Sequence, residues 1–309
     1  MATRILPLLQ TPLKATWNVA GKLTDTSYWP AFHDGKKVVV LLVPGNPGLV
    51  DYYTTFCEEI HDALSHSSLS LDIIAVSHLG HSSKPLNTTK QLFTLQEQIQ
   101  HKIECFDIIR KQYGPETKIV LIGHSVGSFI CTEVLKARPN HNIVRLIALF
   151  PTLQHIAKTP NGVALSPIFP VIPRTIVSWS ASLLSWIHPT VRKTIVSYIT
   201  KQPDPSLSVT SDQLLQRNVV NNALFMAGQE MASIKELDYD FYHAHVKKFI
   251  IYFSPKDSWA PQDHYDDMKS RFPNANITLC EENLPHAFVL DHAKSMAKKV
   301  SEWILNVND

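Results

Sequence analysis

Three side chains, far apart in the chain, carry the chemistry this sequence can do. Ser125 stands in Gly123-His124-Ser125-Val126-Gly127. Asp257 lies in Ser254-Pro255-Lys256-Asp257-Ser258-Trp259, and His286 follows Leu284-Pro285. A serine alcohol is a poor nucleophile until a base removes its proton during attack. An imidazole is that base, and a carboxylate holds it in the right tautomer and steadies its charge. Such a trio performs acyl transfer: serine attacks a carbonyl, an acyl-enzyme forms, and water or another acceptor releases it. Each member has a plainer reading. The pentapeptide alone is equally a Gly/Ser turn at a helix start, Asp257 an N-cap, and His292 competes with His286 as the base.

The surrounding elements weigh against the plainer readings. Ile119, Val120, Leu121 and Ile122 form an apolar run that enters the pentapeptide, and Val126, Phe129, Ile130 and Val134 recur after it at helical spacing until Pro139. Strand, sharp turn and helix put a serine at a sheet's carboxyl edge and a helix's amino end, where backbone N–H groups favour developing negative charge. Gly123 and Gly127 are the elbow glycines, because a side chain at either would meet the adjoining strand or helix. His292 is placed in the C-terminal helix marked by Ala293, Met296, Ala297, Val300 and Ile304, whereas His286 follows the last strand and can reach back to Ser125.

Further strands are expected at Lys37–Val43, Leu71–Val76, Ile143–Phe150, Phe249–Phe253 and Ile277–Cys280, with weak antiparallel strands within 1–35. Helices are expected from about Asp51 to Ile60 and over Leu95–Tyr113. This alternation predicts an α/β-hydrolase fold, a mostly parallel central sheet flanked by helices, with its core in residues 1–150 and 246–309. The order Ser125, Asp257, His286 is the chain order of that fold. Serine as nucleophile argues against the dehalogenases and epoxide hydrolases that share the fold but attack with an acid. In such proteins the loop after the first buried strand supplies one oxyanion N–H and the residue after the nucleophile supplies the other. Here these are Asn46, in Pro44-Gly45-Asn46-Pro47-Gly48, and Val126, although many relatives have His-Gly where this chain has Pro44-Gly45. His78, His81 and His124 are possible pocket residues, with a structural loop role weighed against it for His78 and His81.

Between 151 and 245 the alternation stops, which predicts a helical, apolar cap. Val163–Ile187 holds one charge, Arg174, with three prolines and two tryptophans. A spanning helix needs about 20 predominantly apolar residues, and this segment is broken by Pro167, Pro170 and Pro173. Two readings stay open: a lipid-surface segment anchored by Trp179 and Trp186, or a lid whose apolar face packs on the core. Two helical patterns follow, one beginning at Leu214, Leu215, Val219 and Val220, the other closing at Met231, Ile234 and Leu237.

Composition bounds the rest. The 309 residues are 44% hydrophobic and 18% charged, with a formal charge of +2 that gives no reason to expect nucleic acid. Cys57, Cys105, Cys131 and Cys280 lack paired spacing and read as reduced thiols. Fifteen histidines include no H-E-x-x-H, so neither a metal nor a cofactor is expected. The Ile5–Leu9 run is too short for a signal segment, and without one the sequons at Asn87 and Asn276 carry no weight.

The strings VLLVPGNPG, LIGHSVGS, YFSPKDSWAP and LPHAF, with an apolar insert between the second and third, resemble the lipid droplet-associated hydrolase family over essentially the whole chain. The resemblance implies a cytosol-facing address at lipid droplets and the endoplasmic reticulum, and a serine lipid hydrolase acting weakly on cholesteryl esters in cholesterol and triacylglycerol handling. The alternatives are an acyltransferase or thioesterase on the same triad, and a droplet-binding protein with a mainly structural role.

Overall fold

The computed structural model describes residues 12–84, 86 and 91–308; the Ile5–Leu9 run and the Asn87 sequon lie outside them. In chain order come strands β1 (Leu13–Val19), β2 (Lys22–Trp29) and β3 (Lys36–Val43), helix α1 (Thr54–Ala63), β4 (Leu69–Val76), α2 (Leu95–Tyr113), β5 (Lys118–His124), α3 (Val126–Ala137) and β6 (Ile143–Leu149). Helices α4 (Pro160–Leu165), α5 (Val171–Ser185), α6 (Pro189–Thr200), α7 (Ser206–Val209), α8 (Arg217–Ser233) and α9 (Tyr239–His245) follow without a strand. The chain closes with β7 (Phe249–Phe253), α10 (Gln262–Arg271), β8 (Asn276–Leu279) and α11 (Ala293–Leu305).

The eight strands form one sheet in the order β1-β2-β4-β3-β5-β6-β7-β8. The pairs β1–β2 and β2–β4 are antiparallel, and every pair from β4 to β8 is parallel. Parallel strands need crossovers, and the crossover helices cover both faces, so the central strands are apolar on both sides. In β3 the alternation is direct. Val39, Leu41 and Val43 share a core with Phe106 of α2 and Ile130 of α3, while Val38, Val40 and Leu42 share the opposite one with Phe56 of α1 and Val300 of α11. Parallel pairing also collects the carboxyl ends of β3, β5, β7 and β8 along one edge of the sheet.

Local chemistry sets the element ends. Thr94 accepts from Glu97 N–H at 3.2 Å and Glu97 Oε2 accepts from Thr94 N–H at 2.8 Å, a capping box that starts α2. Two details depart from the sequence reading. The two helical patterns expected after Leu214 are one helix, α8, with Leu214 and Leu215 before it and Ile234 and Leu237 buried beyond it. His292 is not in the last helix: it is the residue before α11, exposed to solvent.

The insertion carries an inverted helix. Along α5 the buried residues are Arg174, Ser178 and Ser182, spaced by four, so its polar stripe faces inward. Arg174 Nε donates to Asn221 Oδ1 of α8 at 3.0 Å, and its guanidinium lies over the Phe225 ring. The opposite stripe, Ile172, Ile176, Trp179, Leu183 and Trp186, is in solvent, with Ile172 and Trp186 each 75% exposed. Among the described residues no single helix is long and apolar enough to cross a membrane; Pro160–Ile168 and Val171–Ser185 qualify only together, and they meet at a bend of 84°.

Candidate active site

β5 ends at His124 and α3 begins at Val126, so Ser125 alone must turn the chain. It does so at φ +53°, a conformation that costs a non-glycine residue about 1–3 kcal/mol. Neighbours hold the turn: Ser125 N–H donates to Leu149 O at 3.0 Å, Ser128 N–H to Ser125 O at 3.0 Å, and Ser128 Oγ to Gly123 O at 2.8 Å. The flanking glycines are steric necessities. A Cβ on Gly123 would lie 2.5 Å from Ser128 Cα, and one on Gly127 would lie 2.2 Å from Val43 O.

The segments after β7 and β8 bring the other two groups to this turn. His286 Nε2 lies 2.9 Å from Ser125 Oγ, and His286 Nδ1 lies 2.6 Å from Asp257 Oδ2. The carboxylate accepts, so Nδ1 carries the proton and Nε2 is free to take the serine's. Asp257 Oδ1 accepts from Trp259 N–H at 2.7 Å and Ala260 N–H at 3.0 Å. The Asp257 side chain has no solvent contact. Burial alone would raise this carboxyl; the hydrogen bond and charge of His286, with the two N–H groups, more than offset it and hold the carboxyl below its ordinary value.

A second chain of hydrogen bonds lies behind the first. Gly45 N–H donates to Tyr53 Oη at 2.8 Å, Tyr53 Oη lies 2.6 Å from His124 Nδ1, and His124 Nε2 lies 2.8 Å from His286 O. A carbonyl only accepts, so His124 carries its proton on Nε2. Burial, joined by the neighbouring His286, pushes the His124 imidazolium down to about 3, so the ring is neutral. Nδ1 must then accept, and Tyr53 donates. The loop after β3 and the segment holding His286 are thereby tied through two buried side chains.

Asn46 and Val126 flank the serine. Val126 opens α3, where a helix leaves its first N–H groups without intrahelical partners. The Asn46 side chain reaches into α8, donating from Nδ2 to Ala223 O at 2.8 Å and Glu230 Oε1 at 3.0 Å. Of the three histidines that the sequence offers as possible pocket residues, none lines the cavity beside Ser125. His124 is the relay just described. His78 and His81 are buried beneath the Pro47-Gly48 turn, where His81 Nδ1 donates to Pro47 O at 2.5 Å and a Cβ on Gly48 would fall 2.6 Å from His78 Cδ2. Burial pushes both imidazoles down, His81 to about 4.

That cavity has a volume of about 280 Å³ and lies between the sheet edge and the helical insertion. Ser125, His286, Asn46 and Trp259 line it from the core; Leu165, Phe169 and Leu224 are among the apolar residues facing them. Glu230 of α8 also lines it and was not anticipated from the sequence, nor was Tyr53. Trp179 and Trp186 lie outside it, on α5 and at its end; the Arg217 guanidinium stacks on Trp179 at 3.9 Å. Among the described residues no cluster of His, Cys, Asp or Glu has the arrangement of a metal site, and the four cysteines are buried and unpaired.

A profile of the lipid-droplet associated hydrolase family matches residues 36–289. The chain belongs to this family. Members named lipid droplet-associated hydrolase include one from Gallus gallus, 33% identical over 280 residues, covering 87% of this chain and 85% of the relative. One from Homo sapiens is 28% identical, covering 88% and 87%. Among solved structures, an epoxide hydrolase from Vigna radiata superposes with TM-score 0.62 at 12% identity, covering 95% of this chain and 98% of its own. A thermophilic esterase from Thermogutta terrifontis gives 0.60 at 12%, covering 96% and 100%. At such identities these structures speak to the fold alone, and that fold is the α/β-hydrolase fold, as the alternation of strands and helices predicts.

Proposed function

We propose that the protein is a serine hydrolase that cleaves carboxylic ester bonds of neutral lipids, with weak activity on cholesteryl esters, at the cytosolic surface of lipid droplets and of the endoplasmic reticulum. The observation that carries the reading is the line Ser125 Oγ–His286 Nε2, 2.9 Å, and His286 Nδ1–Asp257 Oδ2, 2.6 Å, on a serine held at φ +53°. His286 takes the serine proton as Oγ attacks the ester carbonyl, and later gives it to the leaving alcohol. The oxyanion is met by the N–H groups of Asn46 and Val126. Asn46 is favoured over Gly45 because the Gly45 N–H is taken up by Tyr53. One such donor is worth about 10²–10³ in kcat. Water then releases the acid from Ser125.

The helical insertion over residues 151–245 acts as a cap with two surfaces. Segment 160–169 lines the cavity through Leu165 and Phe169, and the outward stripe of α5, with Trp179 and Trp186, lies in the lipid boundary. Apolar patches of this kind mark interaction surfaces. A fluorophosphonate probe should label the wild type and leave Ser125→Ala unlabelled. A panel of cholesteryl, triacylglycerol and short-chain esters should be turned over by the wild type alone. Labelling or turnover that survives in Ser125→Ala overturns the proposal. Competing alcohols added to the assay separate hydrolysis from acyl transfer through the products formed.

A further inference from the structure

The cavity beside Ser125 is mostly apolar. Its described lining has two ionisable groups, His286 and Glu230. His286 is partnered by Asp257 and Ser125. Among the described residues no cation faces Glu230. It is 4% exposed, its Oε1 accepts from Asn46 Nδ2 at 3.0 Å, and no described residue bonds its Oε2. An ionised carboxylate in such a wall is strongly disfavoured, and burial raises this group to about 8 against the smaller pull of the Asn46 bond. At neutral pH it keeps its proton and is a hydrogen-bond donor. With Oε1 occupied as an acceptor, the proton sits on Oε2.

We propose that Glu230 determines specificity: its neutral carboxyl hydrogen-bonds an oxygen substituent of the substrate beside the scissile ester, so the site favours esters bearing a free hydroxyl, such as partial glycerides, over esters with no second polar group. Asn46 sets the position. Its side chain holds Glu230, and its backbone N–H is the donor assigned above to the oxyanion. A substrate that leaves the Glu230 hydroxyl unpaired in an apolar wall forfeits that bond, and sites built to bond a hydroxyl discriminate against analogues that lack it. The inference rests on Ser125 being the nucleophile.

The test compares glyceryl monobutyrate with propyl butyrate, which share an acyl chain and differ in the hydroxyls of the alcohol. One net hydrogen bond corresponds to roughly a threefold to tenfold preference in kcat/KM for the glyceryl ester. Glu230→Met should bring the ratio close to one through loss of the glyceryl ester's advantage, and Glu230→Gln, which still donates, should keep most of it. Equal rates on the two esters by a wild-type enzyme that the fluorophosphonate labels at Ser125 overturn this proposal alone, whether or not the variants fold. A ratio that is unchanged in Glu230→Met overturns it as well. No labelling and no turnover of either ester overturn the nucleophile assignment, and this inference with it.

Discussion

Tyr53 donates its hydroxyl proton to His124 Nδ1 across 2.6 Å while accepting from Gly45 N–H. His124 passes the constraint on through its Nε2–H to the carbonyl of His286. The loop after β3 and the segment that carries His286 to Ser125 therefore have a common reference inside the core. Tyr53 is 3% exposed, and burial raises its phenol well above the ordinary value, so it stays a neutral donor at any working pH.

Tyr53→Phe keeps the ring and removes both bonds. It frees the Gly45 N–H and unpairs His124 Nδ1, and each lost buried bond is worth about 1 kcal/mol. Because the loss bears on the alignment of the His286 segment and the loop after β3, kcat on a soluble ester should fall roughly tenfold with KM little changed. Steady-state kinetics read this directly. An equal rise in KM at unchanged kcat would assign Tyr53 to substrate binding instead.

Gly127→Ala should damage the fold itself. The added methyl would sit 2.2 Å from Val43 O and 2.6 Å from Pro44 O, both main-chain atoms that cannot swing aside. Overpacking of this sort costs about 1–3 kcal/mol and more where backbone must move. The expected outcome is a lower thermal midpoint together with loss of fluorophosphonate labelling. A variant that melts and labels like the wild type would contradict the close approach.

Glu230 gives stability a particular pH dependence. Its carboxyl is raised from 4.5 to about 8 in the folded protein, so across that window the folded state holds a proton that the unfolded chain has released. The stabilisation is complete below the unfolded value, declines as pH rises toward 8 by up to about 1.4 kcal/mol per pH unit, and is gone above it. Glu230→Gln has no such proton. The stability difference between variant and wild type, followed by denaturant unfolding from pH 4.5 to 8.5, should therefore shift steadily in favour of the variant as pH rises. A constant difference would show that the carboxyl is not held neutral.

Charge on the outward face of α5 separates anchoring from chemistry. Ile176→Lys with Leu183→Lys places two cations on side chains 62% and 58% exposed, with little effect expected on packing. Flotation with phospholipid-coated triacylglycerol droplets should fall at least severalfold, while hydrolysis of a soluble short-chain ester stays near wild type. Unchanged flotation would remove α5 from the lipid boundary.

The sheet was legible because buried parallel strands are written as short apolar runs, and the elbow because Gly123 and Gly127 are demanded by contacts within a few residues or one strand away. Asp257 and His286 could be singled out because each follows a strand that parallel pairing delivers to the edge holding Ser125. Tyr53 and Glu230 left no such trace. Tyr53 meets His124 across 71 residues, and Asn46 meets Glu230 across 184, and nothing in the local pattern just before α1 or within α8 distinguishes Tyr53 and Glu230 from ordinary buried positions. The sequence also displayed both stripes of α5 without saying which faces inward; that is decided by the bond from Arg174 to Asn221, supplied by a helix much later in the chain. His78 and His81 follow a strand and so were possible pocket residues, but they take the structural loop role favoured for them, buried beneath the Pro47-Gly48 turn.

The inside-out arrangement of α5 has a practical corollary. A molecule that keeps Ile172 and Trp186 three-quarters wetted in plain buffer gains by adsorbing to plastic, to micelles or to other copies of itself. Catalytic constants taken without a detergent or emulsion would then drift with vessel and dilution. An inactive preparation of this protein would first have to be recovered from the tube wall before its chemistry was doubted.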